Sequence, residues 1–237
     1  MPSGKLSDND QIQGMNKTPI FIAAGILCAF AVAGVGLVAA THALTDERIA
    51  ANQREAMLAK FRAIIPRQPG GSEPLMDNDP LQDLIEVSDR DLLGSGTTRV
   101  YRVRNGGEPV ALILDVVVPD GYAGPIELLV SVKHDGTLGG VRVLEHHETP
   151  GLGDRIDDRK SDWIKVQFDG KSLGNPPEAR WAVKRDGGDF DQFTGATITP
   201  RSVVKAVKNT LLFVRQQGDA LYVQPSVAKA PEAKGAG

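Results

Sequence analysis

Residues 191–202 read Asp-Gln-Phe-Thr-Gly-Ala-Thr-Ile-Thr-Pro-Arg-Ser, three threonines around a Gly-Ala step just ahead of an apolar, helix-like stretch. Thr199 before Pro200 reads as an N-cap followed by the residue best suited to the first helical position. That leaves Thr194 and Thr197 without a task. A helix starting near Pro200 would offer free N–H groups and the positive end of its dipole, which favour an anion, above all a phosphate, close to Thr197 and Thr199. The same residues suit an ST-turn with a helix cap and no ligand, and composition alone favours that plainer reading.

Two further stretches could do chemistry. Glu145, His146, His147 and Glu148 are residue types that ligate metals, but consecutive residues on a strand point to opposite faces, so the four cannot converge on one ion. The plain reading is a strand leaving its sheet with half of its polar side chains in water. Directly after it comes Glu-Thr-Pro-Gly-Leu-Gly-Asp, residues 148–154. Gly151 and Gly153 permit backbone conformations closed to other residues and would let a planar ligand approach the main chain, although a simple turn accounts for them too.

The elements that must position these residues follow from periodicity. β-branched runs at 98–104, 109–118, 126–134 and 138–146 flank Asn105-Gly106-Gly107-Glu108 and Asp135-Gly136, which are hairpin signals. An antiparallel sheet is expected. The run from Val110 to Val118 is nearly all apolar, as in a strand buried on both faces, so something must cover the sheet. Val203, Val204, Val207, Leu211 and Leu212 form an apolar stripe on a helix ended by Gly218, which is the covering element. An α+β domain spanning 94–223 fits these parts.

Upstream, residues 18–41 carry no charged side chain, and at ~1.5 Å per residue they are long enough for a hydrocarbon core of about 30 Å. A transmembrane helix is expected there. A cleaved signal peptide is the competing reading, supported by the Ala-rich end at Ala39–Ala43, yet an h-region usually holds only about 7 to 15 residues. A stalk helix is expected over 42–66, a connecting segment over 67–93, an extension on the cytoplasmic side over 1–17 and a low-complexity, disordered tail over 224–237. Cys28 is the single cysteine, so this chain alone builds no disulfide, iron–sulfur cluster or thiolate zinc site, and Leu27 before it argues against a lipoprotein. With a net charge of −3 and both signs mixed along the chain, nucleic acid is a poor partner. Lys5 and Lys17 before the span against Arg48, Arg54, Lys60 and Arg62 after it would place the body in the cytoplasm by count, a rule that weakens when the translocated part is long.

Taken together and in order, GYAGPIELLVSV, HHETPGLGD and DQFTGATITPRSVVKAV resemble the pattern of RnfG, the FMN-binding component of Rnf (Rsx) electron-transport complexes, and of its relative, the FMN-carrying NqrC component of the sodium-pumping NADH:quinone reductase. The resemblance covers the span and the body. It implies one FMN, attached through its phosphate to a threonine hydroxyl by a flavin transferase that recognises Asp-x-x-Ser/Thr-Gly-Ala-Thr. The match is Asp191, Thr194, Gly195, Ala196 and Thr197, so Thr197 is the implied acceptor, a phosphoester-bearing residue, with Thr199 the downstream hydroxyl. Glu148, Thr149, Leu152 and Gly153 are the implied contacts near the isoalloxazine. The implied function is an electron relay in a membrane complex coupling ferredoxin and NAD to proton or sodium translocation, a redox component rather than a complete enzyme. Implied partners are other components carrying iron–sulfur and flavin centres, the transferase and membrane lipid. The implied location is the bacterial inner membrane with the FMN domain on the periplasmic side. The quinone-reductase component shares the motifs, and a flavin-free, membrane-anchored binding or structural protein is the alternative from another class.

Overall fold

The computed structural model of the chain describes residues 18–68, 70–94 and 96–227, so the N-terminal extension and the tail from residue 228 lie outside the described residues. The chain divides between Met57 and Leu58 into two units. Helix α1 (Thr18–Arg62) begins in the first of them. It is long and apolar enough to cross a membrane. Phe21, Leu27, Phe30, Val35 and Leu37 are exposed along it, as lipid-facing side chains would be. The transmembrane and stalk segments read separately from the sequence are thus one continuous helix.

The second unit is built on a five-stranded antiparallel sheet in the order β1-β2-β3-β4-β5, comprising β1 (Leu84–Val87), β2 (Thr98–Asn105), β3 (Glu108–Val118), β4 (Ile126–Lys133) and β5 (Leu138–Glu145). Each strand pairs with the next in sequence. Between β2 and β3, Gly106 and Gly107 both have positive φ, 62° and 82°, which is why a Gly-Gly pair stands at this turn. Four strands are those the alternation predicts. The fifth, β1, lies with α2 (Arg90–Leu93) in the stretch expected to be a connector. Asp89 caps α2 by accepting from the Leu92 N–H at 2.9 Å.

β3 is covered on both sides. On one face Leu112, Leu114, Val116, Leu128, Val130 and Val132 form the main core with Val203, Val204, Val207 and Leu211 of α4 (Ile198–Gln217). Phe213 is buried there, whereas Leu212 of the expected stripe is half-buried. On the other face lie Tyr101, Ile113 and Leu129. Phe61, in the last turn of α1, meets Tyr101 with ring centroids 4.9 Å apart, and Ile64 presses on the sheet so closely that a Cβ on Gly139 would lie 2.4 Å from its carbonyl oxygen. The end of the expected stalk is therefore core.

Buried Arg102 donates to Asp83 and to the carbonyls of Tyr222 and Gln224, fastening β2 to α5 (Ala220–Val223) and the residue after it. Val227 donates to the Leu84 carbonyl at 2.8 Å, so the start of the low-complexity tail pairs with β1.

Candidate functional site

The site is assembled where four connections meet. The first is the loop that follows β5. Leu152 N–H closes a turn onto the Thr149 carbonyl at 3.1 Å, and Gly151 takes a φ of 79° while its N–H donates to Asp154 Oδ1 at 2.8 Å. The second is the β3–β4 connection around Gly121, Tyr122 and Ala123.

Glu148 joins these two to α4. Its side chain is 5% exposed; Oε2 accepts from the Thr199 hydroxyl at 2.7 Å, and Oε1 accepts from the Ala123 N–H at 3.2 Å. A glycine stands on either side of this carboxylate. A Cβ on Gly153 would lie 2.3 Å from Oε2, and one on Gly121 would lie 3.0 Å from Oε1 and 2.1 Å from the Gly124 carbonyl oxygen. Gly153 is required here by contact, not by backbone conformation.

The third connection is the turn at 193–196, closed by the Ala196 N–H on the Phe193 carbonyl at 3.2 Å. Gly195 sits at its third position with φ 83°, the place where a type II turn needs glycine. The turn is held from behind by α3 (Trp163–Phe168). The Trp163 indole N–H donates to the Asp191 carbonyl at 2.9 Å, Gln167 both accepts from the Asp191 N–H and donates to its carboxylate, and Trp163 packs edge-on against Phe193 at 5.1 Å. The Arg155 guanidinium covers the same Phe193 ring at 5.1 Å. Lys184 pairs with Asp191 at 2.5 Å, and its hydrogen bond holds the Asp191 carboxyl below the usual range.

The fourth is the start of α4. Thr197 is its N-cap and makes no side-chain cap hydrogen bond. The expectation that Thr199 would be the cap is corrected: Thr199 lies within the first turn, 1% exposed, and its hydroxyl goes to Glu148. Pro200 follows it in the third helical position, where a missing N–H is tolerated because first-turn N–H groups have no intrahelical acceptor. The N–H groups of Ile198 and Thr199 belong to that turn.

A cleft of about 300 Å³ opens among these connections, lined by Glu148, Thr149, Leu152, Gly153, Gly195, Ala196, Thr197 and Thr199, together with Tyr122 and Ile198. Eight of the ten residues singled out from the sequence thus come together. The other two do not line it: Asp191 braces the turn from behind, and Thr194 is exposed at its crest. Tyr122 and Ile198 were not singled out, although Tyr122 stands in the Gly-Tyr-Ala-Gly stretch that carries part of the resemblance. Both are exposed, as is Leu152, and they give the cleft an apolar rim. A larger cleft, about 530 Å³, lies between the β4–β5 turn and the C-terminal end of α4 and holds none of the motif residues.

The neighbouring polar residues have separate tasks. His147 pairs loosely with Glu145 at 3.9 Å on the surface. His146 accepts the Glu148 N–H at Nδ1, 3.1 Å away, and turns Nε2 towards Asp157 at 3.8 Å. The Asp157 carboxyl is lowered from 3.8 to about 2, first by its hydrogen bond from the Arg159 guanidinium, against the opposing effect of burial. A carboxyl depressed in the folded state contributes stability above its unfolded value and loses it as pH falls through the folded one, here from about 4 towards about 2. Arg159→Ala is accordingly expected to be less stable than wild type at neutral pH, with the gap closing as pH drops through that window. Denaturant unfolding at stepped pH reads this, and a gap that stays constant contradicts it.

The profile of the FMN-binding domain matches residues 121–212, and that of the RnfG N-terminal region matches residues 15–64. A protein from Pseudomonas aeruginosa, named as the G component of an ion-translocating oxidoreductase complex, is 51% identical over 204 residues, 86% of this chain and 92% of the relative. The proteins of the same name from Salmonella typhimurium, 46% identical over 187 residues (79% and 87% of the two chains), and Vibrio atlanticus, 44% over 200 residues (84% and 92%), are likewise similar along most of their length. The chain belongs to the RnfG family, the G components of ion-translocating oxidoreductase complexes.

Proposed function

We propose that this chain is the FMN-carrying electron relay of an Rnf-type membrane complex, with the flavin esterified through its phosphate to Thr197. The observation that carries the reading is the state of Thr197. Its hydroxyl is not spent on capping, it lines the cleft, and it adjoins the first-turn N–H groups of α4, where the helix dipole favours an anion. No lysine or arginine lines the cleft among the described residues, so the backbone rather than a basic side chain would hold the single charge of a phosphodiester.

The residues fit the rest of the group as well. About 300 Å³ is at the small end of ligand clefts, which suits a cofactor held partly open to a redox partner, and Leu152, Ile198 and Tyr122 offer apolar surface to a planar ring. FMN supplies the electron chemistry; the chain holds and orients it. Thr149 and Gly153 shape the wall, and Asp191 with Gln167 and Trp163 fixes the turn that presents Thr197. Attachment is assigned to a flavin transferase acting on the exposed motif. The relay works with other components of the complex that bear iron–sulfur and flavin centres, between ferredoxin and NAD, with proton or sodium translocation as the coupled event.

The test is the full chain made together with a flavin transferase, run on a denaturing gel. Yellow fluorescence at the band and a peptide carrying the mass of FMN at Thr197 are expected; a colourless band removes the reading.

The body is assigned to the periplasmic side of the inner membrane. A reporter that works only after export, fused after Gly218, should be active, and its cytoplasmic counterpart silent. The opposite pattern rejects that orientation and returns the assignment to the one given by the Lys/Arg count.

A further inference from the structure

We propose that Glu148 is a fixed negative charge at the flavin cleft that lowers the reduction potential of the bound flavin. The inference rests on the reading above that FMN occupies this cleft. Glu148 is the one charged residue lining it among the described residues, and it is 5% exposed. Both carboxylate oxygens accept hydrogen bonds, from the Thr199 hydroxyl and the Ala123 N–H, the pattern of an acceptor-only carboxylate. Gly153 and Gly121 close in on the two oxygens. The charge is therefore held in one place, and its burial keeps water and salt from screening it as they screen a surface charge.

A brace needs no charge, since an amide could satisfy the Ala123 N–H through its oxygen. A charge, however, acts on electrons. Reduction of FMN takes two electrons from the titrant and draws protons from water; wherever fewer than two protons follow, the ring gains negative charge, and a nearby carboxylate opposes that gain. The other titratable groups close by are His146, against the Glu148 N–H, Asp154, against the Gly151 N–H, and Asp157, against His146. None of these three lines the cleft, whereas the Tyr122 phenol stands on its rim.

Redox titration of the full-length flavoprotein tests the proposal. In Glu148→Gln the potential should rise, more at alkaline than at mildly acidic pH, and the rise should persist in high salt. Flavin loading should fall to the extent that the Thr199 hydroxyl must turn to accept from the amide nitrogen, but the titration reads only molecules that carry flavin. Glu148→Asp keeps the charge and withdraws it by one methylene, so its potential should rise less, and it carries the test if Glu148→Gln yields no flavoprotein. An unchanged or lowered potential in either variant, or an equal rise in both, overturns the proposal. Wild-type protein without flavin would instead sink the functional reading and this inference with it, so the two failures are distinguishable.

Discussion

Thr197→Val is expected to give a folded, membrane-bound chain with no covalent flavin. Valine keeps the β-branched shape and removes only the oxygen, and that oxygen makes no cap hydrogen bond whose loss would disturb α4. The loss should be complete, because an ester cannot form without the hydroxyl. Thr199→Val makes the informative contrast. It strips a donor from buried Glu148 Oε2, which costs about 1 to 3 kcal/mol for a buried group left unsatisfied. Flavinylation should then be reduced, not abolished. Thr194→Ser should be tolerated, since that position is exposed and keeps its hydroxyl. In-gel flavin fluorescence with peptide mass mapping reads all three. Label surviving in Thr197→Val, or an adduct mapped to Thr194 or Thr199, would show that the attachment residue is misassigned while leaving the family intact.

The second large effect is expected from Phe190→Ala, one residue before the motif. Phe190 is fully buried, stacked on Phe168 at 5.4 Å and tilted against Trp181 at 4.7 Å. Its backbone is bonded on both sides, to Ala182 and Lys184. Removing such a ring costs roughly 3 to 5 kcal/mol through lost burial and the cavity left behind. Domains of this kind are stable by only about 5 to 15 kcal/mol in all, so the change is severe. It also loosens the anchor of the turn that presents Thr197, so the flavin yield should fall together with the unfolding midpoint. Phe190→Leu, which keeps most of the volume, should recover most of both. Denaturant unfolding of the purified full chain measures the first, and fluorescence per chain the second. A Phe190→Ala variant with wild-type stability would mean that this aromatic cluster does not hold the turn.

Much of the architecture is legible in the residues because the signals are periodic. Strands β2 to β5 alternate or run apolar between turn dipeptides, and α4 carries its stripe and its terminal glycine. β1 and α2 are four residues each, too short for any period to emerge, and only pairing with β2 and packing by α4 define them. The role of Phe61 and Ile64 is hidden for a related reason. A helix that looks like a stalk by composition becomes core only because the second face of a distant sheet needs covering. At the site, the family resemblance points to Thr197 and to the loop, and eight of the ten residues meet at one cleft. What it cannot give is direction. Thr199 and Glu148 look like a cap and a surface carboxylate until the fold turns both inward and pairs them, and Asp191 looks like a ligand contact until α3 claims it from behind.

The burial of Phe61 and Ile64 bears on how this family can be recombined. The matched FMN-binding span, residues 121–212, holds β4, β5 and α3 but neither β3, on which β4 is laid, nor the side chains that seal the sheet's second face. A stretch marked out by similarity is thus smaller than the piece that can exist by itself. Swapping flavin modules between relatives would have to take the chain from Leu58 onward, so that the seal travels with the sheet it was fitted to.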